Sequence, residues 1–239
     1  MTLLESFRLG LQSARQNLLP ALLLQAIMLC LMAAYLLHGG TRLFLADVGE
    51  LKEEMGYGFA LAAYMVSGAL LPELLRILFF QKGRLRRSNI WSFATTAPLW
   101  GAMGMTVDFF YRCQNAWFGT GNEWTVIVTK VLVDQFIYSP FFANPLVTGY
   151  LTSRDAGFTR ASVASLFRWS FVTRKMLPVQ IAGWCVWMPG VCFVYFMPPL
   201  LQLPVAVLIQ CFWVLLLTTI NEKTRIQTSS PGVPEQMPL

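Results

Sequence analysis

Long apolar runs separated by short polar segments make up most of this sequence. The first run, "LLPALLLQAIMLCLMAAYLLHGG", begins at residue 18, and further runs cover about 57–80, 91–111, 124–151, 177–197 and 203–220. Each run approaches the ~20 residues that an α-helix needs to cross the hydrocarbon core of a bilayer. The pattern therefore predicts an all-α fold, a polytopic transmembrane helix bundle with about six spans.

The first apolar run has a competing interpretation, because Arg8 and Arg15 precede it as in a signal peptide. The run is too long for a typical signal peptide and no A-x-A-like cleavage site follows, so we expect a retained helix. An organelle-targeting role for the two arginines remains open. The predicted domains are residues 1–56 (an extra helix and an acid-rich loop), 57–220 (the helical core) and 221–239, a polar tail expected to be disordered.

Composition and charge support a membrane protein. Of the 239 residues, 56% are hydrophobic and 13% are charged, about half of the ~25% charged residues typical of soluble domains. The net charge of +6 comes from basic clusters in alternate polar segments, which is the positive-inside distribution. It indicates the lipid bilayer rather than nucleic acid as partner, and it places both termini on the cytoplasmic or matrix side.

The sequence offers no metal or cofactor site. His38 is the only histidine, and the five cysteines form no C-x-x-C pair. A zinc site built on several histidines is thereby excluded, and the cysteines, most of which lie in apolar runs, are expected to be small buried hydrophobes. The small residues of "TTAPLWGAMGM", Gly101 and Gly104 in particular, predict a close helix–helix contact.

The stretch "KVLVDQFIYSPFFANP" interrupts the fourth run with polar residues and prolines. Lys130 and Asp134 are four residues apart and share one helical face, so they are predicted to pair. A lone carboxylate facing lipid at this depth costs several kcal/mol, so the face must point into the bundle. Pro140 and Pro145 are expected to break the helix and to free backbone carbonyls, such as that of Phe136, which then need a donor. Pro189 and Pro199 are also expected to break helices.

Two other runs repeat this arrangement of an acid and a base. Glu73 has Arg76 three residues on, and Asp108 has Arg112 four residues on. These pairs, together with Lys130, Asp134 and Gln135, are either internal salt bridges that fix helix packing or the lining of a hydrated path. Spacing alone leaves both interpretations open.

Three segments resemble one family of small membrane proteins. "KVLVDQFIYSPFF" fits a K-x-x-x-D-Q-x-x-x-x-P core, "GMTVDFFYRCQNAWFG" fits a G-P-x-x-H-x-x-Y segment, and "WCVWMPGVCFVYFMPP" with "CFWVLLLT" fits a tryptophan–proline signature. The chain thus resembles the Mpv-seventeen and peroxisomal membrane protein (twenty-two kilodalton) family over residues 57–220. The positions that fit are Gly104, Tyr111, Lys130, Asp134, Gln135, Pro140, Trp184, Trp187, Pro189, Tyr195, Pro199 and Trp213.

The sequence also departs from that family. Met105 and Asp108 replace the usual proline and histidine, and Val191, Val194 and Leu203 replace three polar signature residues. The resemblance implies a divergent member of the family, in a bacterial inner membrane or in an inner mitochondrial or peroxisomal membrane. Some family members are proposed to be weakly selective channels, and the lost polar residues weaken this expectation here.

Three functions are compatible with the sequence. The first is a channel or transporter-like protein for ions or small metabolites, which needs a homo-oligomer because six helices are few for a pore. The second is a non-conducting structural or homeostatic protein in which the ion pairs only hold the bundle together. The third is an intramembrane enzyme using Asp134 with Asp108. The absence of G-x-S-x-G and H-E-x-x-H motifs leads us to expect no enzymatic activity.

Overall fold

Helices account for all the regular structure in the part of the chain that the structure describes. The structure is a computed structural model that describes residues 3–16 and 18–228. The all-α prediction is confirmed for these residues. In chain order the helices are α1 (Leu3–Gln16), α2 (Leu18–Leu37), α3 (Gly39–Met55), α4 (Tyr57–Phe80), α5 (Arg87–Phe118), α6 (Trp124–Asp155), α7 (Arg160–Leu166), α8 (Trp169–Phe196) and α9 (Pro199–Thr228).

Three of these helices contain π-helical segments, in which the backbone hydrogen bonds join residues five apart. In α4 these are Val66–Leu70 and Arg76–Phe80. In α6 the segment is Asp134–Ala143, and in α8 it is Val172–Met176. Because π-helical turns are rare and concentrate at functional sites, the longest π-helical segment, Asp134–Ala143, makes the middle of α6 a candidate functional site.

Several helices are long and apolar enough to cross a membrane. Within the described residues these are α4, α6 and α8, with 24, 32 and 28 residues. A fourth span results if Ala21–Leu37 and α3, bent by 101° relative to each other, count as one. The predicted count of six is therefore not confirmed. The third predicted run lies in α5, whose inward-facing Asn89, Asp108 and Gln114 make it more polar than a typical span.

Two predicted boundaries are wrong. The segment expected as an acid-rich loop is helix α3, which begins after His38, whose side chain accepts a hydrogen bond from the Thr41 backbone N–H. The C-terminal tail was predicted from residue 221, but α9 continues to Thr228. The rest of the predicted tail, residues 229–239, lies outside the described residues.

The contact between α4 and α5 is the closest helix packing around the candidate site. A methyl group added at Gly104 would collide with the Ala60 carbonyl oxygen, and one at Gly68 would lie 2.5 Å from the Trp100 ring. At Gly101 the nearest atom, in Met65, would be 3.1 Å away. The close contact predicted at Gly101 and Gly104 is therefore confirmed, and it fixes α4 against α5.

The bundle has one basic end and one acidic end. Helices α5 and α6 run antiparallel, since the Tyr150 hydroxyl near the end of α6 donates to the Thr95 carbonyl near the start of α5 at 2.6 Å. The α4–α5 loop and the α6–α8 connection consequently lie at one end. Its exposed basic residues are Lys82, Arg84, Arg86, Arg87, Arg160, Arg168, Arg174 and Lys175, whereas α3 exposes Asp47, Glu50, Glu53 and Glu54 at the other end.

Candidate functional site

Lys130 and Asp134 lie in the bundle interior, but they do not pair with each other. Their exposed fractions are 1% and 6%. The Lys130 ammonium donates to Asn115 Oδ1 at 2.6 Å instead. Helical side chains point back toward the N-terminus of their helix, so Lys130 extends toward Asn115 at the end of α5 and away from Asp134. The predicted ion pair is therefore wrong, because a partner on a neighbouring helix replaces the one at helical spacing.

Asp134 is held by neutral donors. The Tyr195 hydroxyl of α8 donates to Asp134 Oδ2 at 2.6 Å. The side-chain amide of Gln135 donates to Oδ1 at 2.8 Å. A buried carboxylate with two such donors is hydrogen-bonded but not neutralised by a cation, whereas a buried charge usually requires both kinds of partner.

Amide side chains connect Lys130 and Asp134 into one network. Gln114 Nε2 donates to both the Tyr195 hydroxyl and the Lys130 carbonyl, each at 3.0 Å. Asn115 Nδ2 donates to Gln202 Oε1 of α9 at 3.1 Å. Gln114, Asn115 and Gln202 are not among the site residues predicted from the sequence. Helical spacing could have indicated Gln114 and Asn115. Positions 104, 108, 111 and 115 follow one another at helical spacing, as do 107, 111 and 114, so both amides lie on the face of α5 that carries Asp108.

Pro140 does not break α6. It lies inside the π-helical segment, where its missing N–H would have bonded the carbonyl five residues earlier, that of Gln135. The Trp184 indole N–H of α8 donates to this Gln135 oxygen at 3.0 Å. The prediction that a freed carbonyl needs a donor is confirmed, but the oxygen is that of Gln135 and not Phe136.

The other predicted helix breakers have different outcomes. Pro145 lies in the first turn of the α-helical segment Asn144–Asp155, so α6 continues past it. Pro189 lies inside the α-helical segment Leu177–Phe196, which also continues. Only Pro199 lies at a true break, because α8 ends before it and α9 begins with it. A proline near a helix start lacks only an N–H that would be unpaired there anyway.

The two other predicted ion pairs form, each with an additional partner. Arg76 Nη1 donates to Glu73 Oε1 at 2.5 Å, and Asn89 of α5 donates to the other Glu73 oxygen at 2.7 Å. Both acids, Glu73 and Asp108, are buried. The hydrogen bond from Asn89 to Glu73 joins α5 to α4 at the basic end.

The carboxylate of Asp108 binds two cations. Arg112 Nε donates to Oδ2 at 2.9 Å, as predicted from the helical spacing. Lys52 of α3 approaches Oδ1 to 3.0 Å and is itself buried. Lys52 lies in the segment that the sequence predicted as a loop, which is why this contact was missed. The bridge holds α3 against α5.

The geometry gives no support to a two-carboxylate catalytic site. Asp108 binds Lys52 and Arg112, whereas Asp134 binds Tyr195 and Gln135, so the two carboxylates share no hydrogen-bond partner among the described residues. In the same part of the chain, no group of three or more histidine, cysteine, aspartate or glutamate side chains could hold a metal ion.

The aromatic residues of the motif segments surround the network. Tyr111 packs edge-on against Tyr195, with ring centroids 5.4 Å apart. Trp184 supplies the indole donor described above. Trp187 and Trp213 are partly buried and pack against the hydrophobic core. Tyr111 and Trp184 thus take part in the site, while Trp187 and Trp213 contribute packing.

An apolar cleft of about 490 Å³ lies beside the network, between α2, α6 and α8. It contains neither Lys130 nor Asp134, and no charged side chain lines it, so it does not extend the polar network. Its lining residues are Gln25, Met28, Leu29, Met32, Trp124, Ile127, Pro189, Cys192, Phe193 and Phe196.

Comparison with known proteins gives no match. A scan against protein families, a search of curated proteins and a search of solved structures each find nothing that matches this chain. The family resemblance of the three motif segments accordingly stays a prediction, and the functional argument depends on the geometry of the site.

Proposed function

We propose that this chain is an integral membrane protein of the Mpv-seventeen and peroxisomal membrane protein type that passes ions or small metabolites. The observation that carries the proposal is the burial of Lys130 and Asp134 and the kind of group to which each is hydrogen-bonded. Both are buried, yet each is bound to neutral groups instead of to an opposite charge. Ionisable groups inside a membrane protein commonly mark substrate or ion pathways.

The neighbouring ion pairs give an internal comparison. Glu73 and Asp108 each bind a basic residue at helical spacing, as groups that only fix packing would. Lys130 and Asp134 have the same spacing available and do not use it. This difference supports a role in which the two charges remain ready to interact with something that enters between the helices.

We also propose the topology and the membrane. The basic end faces the cytoplasm or matrix, in a bacterial inner membrane or in an inner mitochondrial or peroxisomal membrane. Six spans follow if α2, α5 and α9 cross the bilayer together with α4, α6 and α8. In support, α5 has 32 residues and buries its polar side chains in protein instead of exposing them to lipid. Both termini then lie at the basic end.

The alternative is a non-conducting structural or homeostatic protein, and one observation favours it. The described hydrogen bonds of Asp134 and Lys130 are made to other groups of the protein, and the neighbouring cleft is apolar. In this alternative the network holds α5, α6 and α8 together. Neither function is enzymatic.

Reconstituted protein distinguishes the two functions. Wild type, Asp134→Asn and the control Asp155→Asn, an exposed acid at the end of the same helix, are placed in liposomes and in planar bilayers. Osmotic swelling in small polar solutes and current in potassium chloride are recorded. Solute or ion passage that changes in Asp134→Asn but not in Asp155→Asn supports the proposal. A folded wild type that passes nothing supports the non-conducting alternative.

A further inference from the structure

The polar contacts between α6 and α8 continue well beyond Asp134, toward the basic end. Ser139 of α6 and Gln180 of α8 exchange hydrogen bonds at 3.0 and 3.2 Å. One turn further, Asn144 Nδ2 donates to Gln180 Oε1 at 3.0 Å and to the Met176 carbonyl at 2.9 Å. Thr148 then donates to Asn144 Oδ1 at 2.7 Å.

Together with the central network, these contacts form a line of polar groups, which we call the polar seam. It consists of Lys130, Asp134, Gln135, Ser139, Asn144 and Thr148 on α6, facing Tyr195, Trp184 and Gln180 on α8. From Lys130 to Thr148 it covers at most about 27 Å at the α-helical rise of ~1.5 Å per residue, because the π-helical part rises less per residue. A bilayer hydrocarbon core is ~30 Å thick, so the seam extends over most of its depth.

The two helices that form the seam are not locked together by glycine contacts. In α6 and α8, a methyl group added at Gly149, Gly183 or Gly190 would have no neighbouring atom closer than 3.5 Å. This contrasts with α4 and α5, where Gly68 and Gly104 allow no such addition. Side-chain hydrogen bonds, which can be exchanged for water, therefore hold α6 against α8 together with apolar contacts such as that of Phe136 with Trp184.

An unused acceptor lies beside the seam, on α5. Gln114 is fully buried, and its Oε1 has no hydrogen-bond partner among the described residues. A buried amide oxygen without a donor is unfavourable. The same amide group contacts the Tyr195 hydroxyl and the Lys130 carbonyl, so a donor that enters the seam there would complete the network.

We infer that the polar seam between α6 and α8 is the route of passage, and that its solutes are small molecules without net charge that carry several hydrogen-bonding groups. The inference depends on the proposed function and narrows it. The seam has one carboxylate and one ammonium, and its remaining side-chain groups are amides, hydroxyls and the indole N–H of Trp184. Ion-selective pores instead use rings of one charge or of backbone carbonyls.

The accessibility of engineered cysteines tests whether the seam is hydrated. In protein whose five native cysteines are replaced by alanine, Ser139→Cys and Thr148→Cys are compared with Phe141→Cys, which is 78% exposed on the outer face of α6. Because the reactive thiolate forms in water, the seam positions should react with a charged thiosulfonate on the order of ten times faster than position 141. Equal rates overturn the inference.

A reversible cross-link tests whether α6 and α8 must separate. In the double variant Ser139→Cys with Gln180→Cys, a short bifunctional thiosulfonate joins the two helices, because a direct disulfide needs Cβ atoms within about 4.5 Å. A control pair, Thr106→Cys with Tyr138→Cys, joins α5 and α6 where the two native hydroxyls are 3.2 Å apart. Cross-linking should abolish liposome swelling in glycine or erythritol only for the seam pair, and a reductant that cleaves the linker's disulfides should restore it.

The outcomes separate this inference from the proposed function. Swelling that persists in the cross-linked seam pair overturns the inference and leaves the proposed function standing. Swelling in potassium chloride that is as fast as swelling in glycine overturns the inference that the solutes carry no net charge. If the native protein passes none of these solutes, the proposed function fails, and the labelling rates alone then decide whether the seam is hydrated.

Discussion

Replacement of Tyr195 by phenylalanine tests the centre of the network with the smallest change. The variant keeps the ring that packs against Tyr111 and removes only the hydroxyl. Asp134 Oδ2 loses its donor at 2.6 Å, and Gln114 Nε2 loses one of its two acceptors. The loss of stability should therefore come from the Asp134 carboxylate, which keeps only the hydrogen bond from Gln135.

The expected size follows from the charge of the acceptor. Interhelical hydrogen bonds in membrane proteins average about 0.6 kcal/mol and reach about 1.7 kcal/mol, while hydrogen bonds to charged groups contribute about 1.5–3 kcal/mol. We expect Tyr195→Phe to lower the free energy of unfolding by about 1.5 kcal/mol. Reversible unfolding in mixed micelles, followed by tryptophan fluorescence, measures this difference.

A double-mutant cycle assigns the effect to the contact with Asp134. Tyr195→Phe and Asp134→Asn are measured singly and together. The coupling energy should be about 1 kcal/mol or more, since groups in one hydrogen-bond network do not behave additively. Additive effects, or a loss below about 0.5 kcal/mol for Tyr195→Phe alone, would show that the hydroxyl does not hold the carboxylate.

Three further predictions concern other contacts. Trp184→Phe should destabilise by about 1–2 kcal/mol because the Gln135 carbonyl loses its donor, and adding Pro140→Ala should recover most of this in the same unfolding assay by restoring an N–H. Lys52→Met should free α3 and accelerate its cleavage in limited proteolysis, and unchanged cleavage would contradict the bridge to Asp108. Gly104→Ala should prevent stable folding, whereas Gly183→Ala, with its nearest atom at 3.9 Å, should be nearly neutral in thermal unfolding.

Local periodicity was sufficient for the features that depend on one helix or on small residues. The span at 57–80 coincides with α4, and the pairs of Glu73 and Asp108 with their arginines form at the predicted spacing. The glycines of "TTAPLWGAMGM" meet α4 as expected. In each case the determining contact lies within one helix or needs only the absence of a side chain.

Features that depend on a second helix could not be predicted. Lys130 has Asp134 at an ideal spacing, but Asn115 and Tyr195 come from α5 and α8, and a single sequence does not reveal their positions. Lys52 was assigned to a loop because acidic residues surround it. Apolar periodicity also does not indicate where α-helical hydrogen bonds become π-helical, so the oxygen freed by Pro140 was assigned one residue too late.

The π-helical segment Asp134–Ala143 makes α6 tolerant of a change in chain length at one place. A π-helical turn contains more residues than an α-helical one, so deleting Ile137 should tighten it toward α-helical bonding and leave both flanking segments facing their present neighbours. The same deletion at Val128, in the α-helical part, would rotate everything on one side by about 100°. Ile127 and Lys130, which are both buried, could then no longer both face the bundle interior, and the folded yield of the two deletion variants should differ accordingly.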